Sequence, residues 1–202
     1  MRRKVVFVLV LALVAALAFG APSKGISLES LTPPGTLMAD AGIGWGGLSG
    51  GVEFMFAQIK IADVLPITFG AAGRAFVDPG IFYTSFSTFT FGAGGFGTAH
   101  VGFKELKLPS GFSWLSNVDT YIGLGVGFAS ATANTSYSSY TFKPGIGIST
   151  FEGASYYLSD KLAITGEYGY IGRVTYDYSL LGYTTSYGWP LYYSTIGVTF
   201  KF

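Results

Sequence analysis

The chain has 202 residues, of which 50% are hydrophobic and only 11% charged, with no cysteine and a formal net charge of +1. This length suits one domain or two small ones, and the charged fraction is far below the roughly 25% of a typical soluble domain. The composition excludes disulfides, thiolate metal sites, a cysteine nucleophile and an acylated lipoprotein N-terminus, and it gives no support for a nucleic-acid partner.

The first twenty residues have the pattern of an export signal. Residues 2–4 are basic, residues 5–19 are uninterruptedly apolar, and Ala18-Phe19-Gly20 offers a small-x-small cleavage site. An apolar run of this length is too short for a membrane-spanning helix, which needs roughly 20 residues. We therefore predict a signal peptide at 1–20 that is cleaved before Ala21.

After a lead-in segment at 21–36, residues 37–202 form eight segments in which apolar and polar residues alternate. Such alternation is typical of strands with one apolar and one polar face. The segments are 37–46, 51–61, 66–77, 88–103, 117–129, 145–158, 162–171 and 191–202. Because lipid cannot pair backbone polar groups, an exported apolar chain without spanning helices is expected to close into a barrel. The sequence predicts an all-β, eight-stranded antiparallel transmembrane β-barrel, an up-and-down meander in the outer membrane.

Alternation alone does not distinguish a lipid-facing apolar surface from the apolar interior of a soluble exported barrel, whose charged face would lie in water. The low charged fraction, the aromatic residues near the strand ends and the terminal phenylalanine favour the membrane. The five segments with a clean phase each carry one charge, always opposite the apolar set: Asp40, Arg74, Asp119, Glu167 and Lys201. A lipid-facing charge near the bilayer centre would cost roughly 2–4 kcal/mol. These side chains are therefore expected to point into the lumen. The second, fourth and sixth segments lose phase partway, which predicts a bulge in each.

The connections alternate between short and long, as expected for a barrel with both termini in the periplasm. Predicted periplasmic turns are 62–65, 104–116 and 159–161, and predicted outer loops are 46–50, 78–87, 130–144 and 172–190. Aromatic residues near the strand ends predict two interfacial girdles. They are Trp45, Phe89, Phe91, Phe128, Tyr168, Tyr170 and Tyr192 at the outer rim, and Phe103, Phe200 and Phe202 at the inner rim.

The hairpin at 153–170 resembles one found in OmpA-like and opacity-type outer-membrane proteins. A glycine-led strand with Tyr156 and Leu158 is followed by a turn with Asp160 and a strand ending in Glu167-Tyr168-Gly169-Tyr170. Many family members carry arginine where this chain has Gly169. OmpW-like barrels, which are also eight-stranded, are equally compatible. The resemblance implies an outer-membrane barrel with mobile outer loops, and it implies no chemistry.

The same resemblance gives the last residue a role in assembly. In that family a terminal aromatic residue such as Phe202 is what the barrel-assembly machinery recognises. The partners implied are therefore outer-membrane lipid, the barrel-assembly machinery and periplasmic chaperones.

The inward charges are the candidate functional residues, and they are read either as a fixed plug or as a gate. Eight strands enclose room for little more than side chains. Glu53, Arg74 and Glu167 are expected toward the outer half, and Asp40, His100, Asp119 and Lys201 toward the inner half. A lone charge in so narrow a lumen would be costly, so Arg74 is expected to pair with Glu167 or Glu53.

No cofactor, metal site or enzymatic activity is predicted. Two glycine runs, at 42–47 and 92–97, match G-x-G-x-x-G but lack the following helix that dinucleotide binding requires. His100 is the only histidine, which argues against a histidine-rich metal site. Lipid A-modifying barrels use histidine with serine and an acid, but no motif links Ser113, Ser116 or Asp119 to His100.

We expect an integral outer-membrane barrel with a structural or surface-exposed role. Two other functions stay open at this point. One is a small porin-like channel for ions or apolar solutes, and the other is an adhesin. The outer loops 130–143 and 172–190, rich in Ser, Thr and Tyr, would supply contact surface for a ligand. Their tyrosines are Tyr137, Tyr140, Tyr176, Tyr178, Tyr183 and Tyr187.

Overall fold

Eight long antiparallel strands form a closed ring. The computed structural model describes residues 28–45, 47–61, 65–80, 87–104, 110–134, 139–180 and 183–202. The strands are β1 (Leu37–Trp45), β2 (Gly47–Ile61), β3 (Leu65–Asp78), β4 (Ser87–Lys104), β5 (Val118–Asn134), β6 (Gly145–Tyr157), β7 (Leu162–Leu180) and β8 (Tyr183–Lys201). Each strand pairs with its neighbour in the chain, and β8 pairs with β1 to close the barrel. The predicted fold class is confirmed.

Three short elements accompany the barrel. A two-residue strand, Glu29–Ser30, pairs with the end of β4, and Ser139–Thr141 pairs with the end of β5. A 3₁₀ helix, Ser110–Asn117, precedes β5 inside the predicted 104–116 turn. Among the described residues, no helix has the length and apolarity to cross a membrane.

The outer surface of the barrel is mostly apolar, although Glu152 on β6 is exposed there, and the lumen contains buried charged residues. Ile146 and Ile148 on β6 are 78% and 71% exposed, and Ile196 on β8 is 70% exposed. Asp119, Glu167 and the other charges of the clean segments turn inward, as predicted. A continuous belt of exposed aliphatic side chains is unfavourable in water, and it indicates contact with lipid.

Of the three predicted bulges, only the one in β2 is found. The β2–β3 register shifts between Met55 and Ala57, which turns Phe54 and Ile59 to the same outer face. The pairings of β4 and β6 are continuous, so the predicted bulges there are wrong. These strands interrupt the pattern because Phe96 and Phe151 face inward and pack edge to face, with ring centroids 4.8 Å apart.

The outer connections contain more strand than predicted. The predicted loop 172–190 is instead a continuation of β7 and β8, paired from Tyr183↔Leu180 to Leu191↔Gly172. The Tyr and Thr residues of this segment have high β-propensity, and they extend the strands although the polar composition predicts a loop. Residues 47–50 of the predicted loop 46–50 belong to β2, which begins at Gly47, whose φ of 86° suits glycine. The centres of the predicted loops 78–87 and 130–144 lie outside the described residues.

The rim aromatics lie largely where the girdles were predicted. Trp45, Phe89 and Tyr192 are exposed, and Tyr192 stacks on Tyr168 with ring centroids 5.9 Å apart. At the opposite end Phe200 and Phe202 are exposed and their ring centroids are 5.1 Å apart. The side chain of Phe103 lies outside the described residues.

Residues 28–36, which we call the strap, cross the periplasmic mouth of the barrel. The strap begins beside β4, where the Leu31 N–H donates to the Gly102 carbonyl at 3.1 Å. It ends at the start of β1 and packs Leu31 against Tyr157 of β6 in a small apolar cluster. The strap lies within the predicted lead-in segment at 21–36, and no periodic pattern there predicts the burial of Leu28 and Leu31. Residues 1–27, with the predicted signal peptide, lie outside the described residues.

Inward glycines make room for aromatic rings. A Cβ atom on Gly169 would lie 2.3 Å from the ring of Tyr193, and one on Gly153 would lie 2.4 Å from the ring of Tyr121. Both distances are far below van der Waals contact. A side chain larger than hydrogen therefore cannot be placed at these positions without moving the ring.

We expect Gly169→Ala to destabilise the barrel by about 1–3 kcal/mol because the new methyl group must displace Tyr193. The matched control is Gly166→Ala on the same strand, where an added Cβ meets no atom within 4 Å. Equilibrium urea unfolding in lipid vesicles measures both variants. Equal stabilities of the two variants would contradict this packing.

Candidate functional site

Arg74 on β3 lies at the centre of the lumen and contacts three carboxylates. Its guanidinium nitrogens are 3.2 Å from Asp40 on β1, 2.9 Å from Glu53 on β2 and 3.3 Å from Glu167 on β7. Gly51 lies between Asp40 and Arg74 in the sheet register. Because a Cβ on Gly51 would approach the Arg74 side chain to 2.6 Å, this glycine leaves space for the guanidinium. Both predicted partners of Arg74 are therefore present, together with Asp40.

His100 on β4 continues this arrangement toward β5. Its Nε2 lies 2.9 Å from Glu53 Oε1, and its Nδ1 lies 2.7 Å from Asp119 Oδ2. The ring of Tyr121 stacks on the imidazole with centroids 5.0 Å apart. His100 is only 2% exposed, and both of its ring nitrogens are occupied by carboxylates.

Hydroxyl groups donate hydrogen bonds to two of these carboxylates, whereas Asp119 Oδ1 is buried without a hydrogen-bond partner. Tyr121 and Tyr193 donate to the two oxygens of Glu167, at 3.1 and 2.6 Å, and Thr98 donates to Glu53. The alternation pattern places both tyrosines on the inward face, but it gave no sign that they would bind Glu167. Satisfied hydrogen bonds of this kind are what make buried charges tolerable.

These contacts join into one group, which we call the lumen network. Its members are Asp40, Glu53, Arg74, Thr98, His100, Asp119, Tyr121, Glu167 and Tyr193. The expected division between outer and inner halves is wrong, because Asp40 contacts Arg74 and His100 contacts Glu53. Strands tilt in a barrel, so residues at different distances from their strand ends reach the same level.

The lumen network fills the barrel at its own level. The remaining cavity beside Arg74 and His100 is about 10 Å³, enough for about one water molecule. In the described part of the chain, no group of three or more His, Cys, Asp or Glu side chains is placed to hold a metal ion. The arrangement is suited to blocking the lumen.

Lys201 and Phe202 lie apart from the lumen network, at the periplasmic end. The Lys201 ammonium donates to the Leu31 carbonyl of the strap at 3.0 Å and lies 3.9 Å from the centroid of the Tyr157 ring. The Phe202 N–H donates to the Leu37 carbonyl at 3.0 Å, while its ring stays exposed. The two candidate serines, Ser113 and Ser116, lie on the 3₁₀ helix, where the Ser116 hydroxyl donates to the Ser113 carbonyl.

The extension of β7 and β8 beyond the closed barrel forms a second candidate surface. This two-stranded ribbon, residues 172–180 and 183–191, has Val174 and Leu191 buried at its base. Higher up, Tyr176 stacks on Tyr187 with centroids 5.6 Å apart, and Trp189 is exposed.

Beside the ribbon, Lys143 forms an ion pair with Asp177, which also accepts a hydrogen bond from Ser186 at 2.6 Å. Among the predicted loop tyrosines, Tyr137 and the side chains of Tyr140, Tyr178 and Tyr183 lie outside the described residues.

Removing the Arg74 charge should destabilise the barrel strongly. We expect Arg74→Met to cost about 3–5 kcal/mol because three buried carboxylates lose their cation. The control is Lys143→Met, which breaks an exposed ion pair and should cost less than about 1 kcal/mol. Urea unfolding in lipid vesicles compares the two, and a cost for Arg74→Met as small as the control's would contradict the electrostatic role.

The hydrogen bond from Lys143 lowers the pKa of Asp177 below its usual value of 3.8, with a smaller contribution from Ser186. A depressed carboxyl pKa stabilises the folded state above the unfolded pKa, and this contribution is lost as pH falls through the folded pKa. We expect NMR titration to place the Asp177 midpoint below 3.8 and Lys143→Met to raise it. An unchanged midpoint in the variant would contradict this pairing.

Comparisons with known proteins give structural neighbours only. No protein-family model and no curated protein matches the sequence. Several solved structures are similar to the chain, of which three are the following. The attachment invasion locus protein Ail of Yersinia pestis is 11% identical with a TM-score of 0.44, over 84% of this chain and 100% of that one. The N-terminal β-barrel domain of Pseudomonas aeruginosa OprF is 12% identical with a TM-score of 0.46, over 84% and 98%.

A major outer membrane protein from Thermus thermophilus is 15% identical with a TM-score of 0.45, over 83% of this chain and 99% of that one. At these identities no role is transferred to this chain, and the strand count rests on the pairing described above. Outer-membrane barrels are thus among the structures that this chain is similar to, as the hairpin at 153–170 led us to expect.

Proposed function

We propose that this protein is an integral outer-membrane barrel with a closed lumen and no enzymatic activity, whose role is structural or surface-exposed. The observation that carries the proposal is the lumen network, which leaves about 10 Å³ of free volume at its level. A barrel filled in this way acts as an anchor in the membrane and holds the ribbon above it.

Placement in the outer membrane is supported by several independent features. The exposed aliphatic belt suits lipid, and the aromatic residues at both rims suit the membrane interfaces. Residues 1–20 have the composition of an export signal, and the aromatic ring of Phe202 is exposed beside that of Phe200.

A structural role for His100 is supported by its surroundings. Carboxylates occupy both of its ring nitrogens, and burial separates it from the mouths of the barrel. Chemistry at an imidazole requires a substrate within hydrogen-bond reach. In the described part of the chain, the neighbours of His100 leave room for little more than water.

A small channel is the second candidate, and the shape of the lumen below the network favours it. Tyr157 lines both the small cavity at the network and a larger space of about 490 Å³ at the periplasmic mouth. Rearrangement of the network could join this space to the outer half of the lumen. The same side chains would then act as a gate instead of a plug.

We expect the folded protein to give no conductance steps in a planar bilayer, because the network blocks the lumen. As a positive control, Arg74, Glu53 and Glu167 are replaced together with alanine, which should open a small conductance. This triple variant leaves fewer carboxylates without a cation than Arg74→Ala alone. Heat-modifiable gel mobility verifies that both proteins are folded. Regular conductance steps from the unaltered protein would favour the channel and contradict the closed barrel.

A further inference from the structure

The periplasmic mouth of the barrel contains an open cavity, which we call the vestibule. Its volume is about 490 Å³, within the roughly 300–1,000 Å³ of small-molecule sites. The lining residues are Leu31, Lys104, Ser116, Asn117, Tyr157, Leu158, Ser159, Asp160 and Lys201. The 3₁₀ helix, the strap and the β6–β7 turn therefore all contribute to one concave surface.

Lys201 is a buried cation that contacts no carboxylate in the vestibule. It is 7% exposed, and none of the ion pairs among the described residues includes it. Asp119, deeper in the lumen, is engaged by His100 and does not line the vestibule. Lys201 therefore differs from Arg74, whose guanidinium contacts three carboxylates. Because a buried charge is costly without a counterion, the position is suited to an anion.

The Lys201 ammonium also has donor capacity to spare. An ammonium has three N–H donors, of which one is used by the Leu31 carbonyl at 3.0 Å. The Tyr157 ring contacts the cation through its face at 3.9 Å. Since Lys201 lines the vestibule, a bound anion can accept a further hydrogen bond from it.

The rest of the lining indicates which anion would fit. Among the lining residues that the structure describes, Lys104 is a second cation and Asp160 is the single carboxylate, so positive charges exceed negative charges by one. A lysine ammonium binds phosphate oxygens as a compact point charge. Leu31 and Leu158 add an apolar wall beside these polar groups.

We propose that the vestibule binds a phosphodiester headgroup through Lys201 and Lys104, with the apolar wall covering the adjoining carbon chain. The single negative charge of a phosphodiester balances the surplus positive charge. A phospholipid of the inner leaflet carries this group at the level of the periplasmic mouth, and a soluble phosphodiester shares the same chemistry. The proposal rests on the proposed outer-membrane placement, with both termini in the periplasm as the sequence predicts, but it does not require a closed lumen.

Binding can be measured by NMR on the full barrel in a maltoside detergent, which contains no phosphate. Dihexanoylphosphatidylglycerol is titrated in one arm and glycerophosphoglycerol in the other, with the amide signals of Ser116, Asn117 and Lys201 as readout. We expect saturable shifts in both arms, with tighter binding of the lipid because the apolar wall contacts its chains.

Variants assign the binding to the vestibule. Lys201→Gln should weaken binding of the lipid about tenfold or more, and Lys104→Gln should weaken it to a lesser degree, since each removes one point charge. Lys60→Gln is the matched control, because Lys60 is an exposed lysine near the periplasmic end of β2 that does not line the vestibule. Its affinity should equal that of the unaltered protein.

The outcomes separate cleanly. Equal affinity for dihexanoylphosphatidylglycerol and glycerophosphoglycerol would support the phosphate site but assign it to a soluble phosphodiester. An absence of saturable shifts in both arms, or unchanged affinity in both Lys201→Gln and Lys104→Gln, would overturn the proposal. If Lys201→Gln fails to fold, Lys104→Gln still tests the phosphate site. The conductance measurement tests the closed lumen separately, so failure of one proposal can be distinguished from failure of the other.

Discussion

Backbone amide and carbonyl groups find no water in the core of a bilayer, and this constraint determines the rest of the structure. Every strand must have a partner on both sides, which the pairing of β8 with β1 achieves. Eight strands give a narrow ring, so the inward side chains must fit each other closely. The apolar belt, the inward charges and the inward glycines follow from that geometry.

In a narrow lumen lined by charged side chains, nearly every charge must have an opposite charge or a hydrogen-bond partner. Arg74 is shared by Asp40, Glu53 and Glu167, and the Tyr121 and Tyr193 hydroxyls satisfy Glu167 as well. These side chains come from opposite walls of the barrel, so the network ties the ring together across its interior. Gly153 and Gly169 permit the same two tyrosines to reach it, since their rings occupy the space of a missing side chain.

Much of the fold could be predicted from alternation, but the partners within the lumen could not. A two-residue period reveals which face a side chain occupies, and it assigned Asp40, Arg74 and Glu167 to the lumen. It does not reveal strand tilt, and for this reason the level of Asp40 was misplaced. The pattern also fails where apolar residues fill the lumen, as Phe96 and Phe151 do.

The two ends of the barrel depart from the sequence prediction for different physical reasons. At the outer end, polar β-formers extend β7 and β8 into a ribbon, although their composition resembles that of a loop. At the inner end, the strap has no periodic pattern, and its position depends on contacts distant in sequence, such as Lys201 with Leu31. Long-range contacts of this kind leave little local signal in a single sequence.

The central claim is that the lumen network couples opposite walls of the barrel energetically. A double-mutant cycle with Arg74→Met, Glu167→Gln and the combined variant, measured by urea unfolding in lipid vesicles, tests it directly. The claim predicts a coupling energy of about 0.5–3 kcal/mol between the two positions, with the combined variant losing less than the sum of the single variants. Additive losses, with a coupling energy near zero, would contradict it.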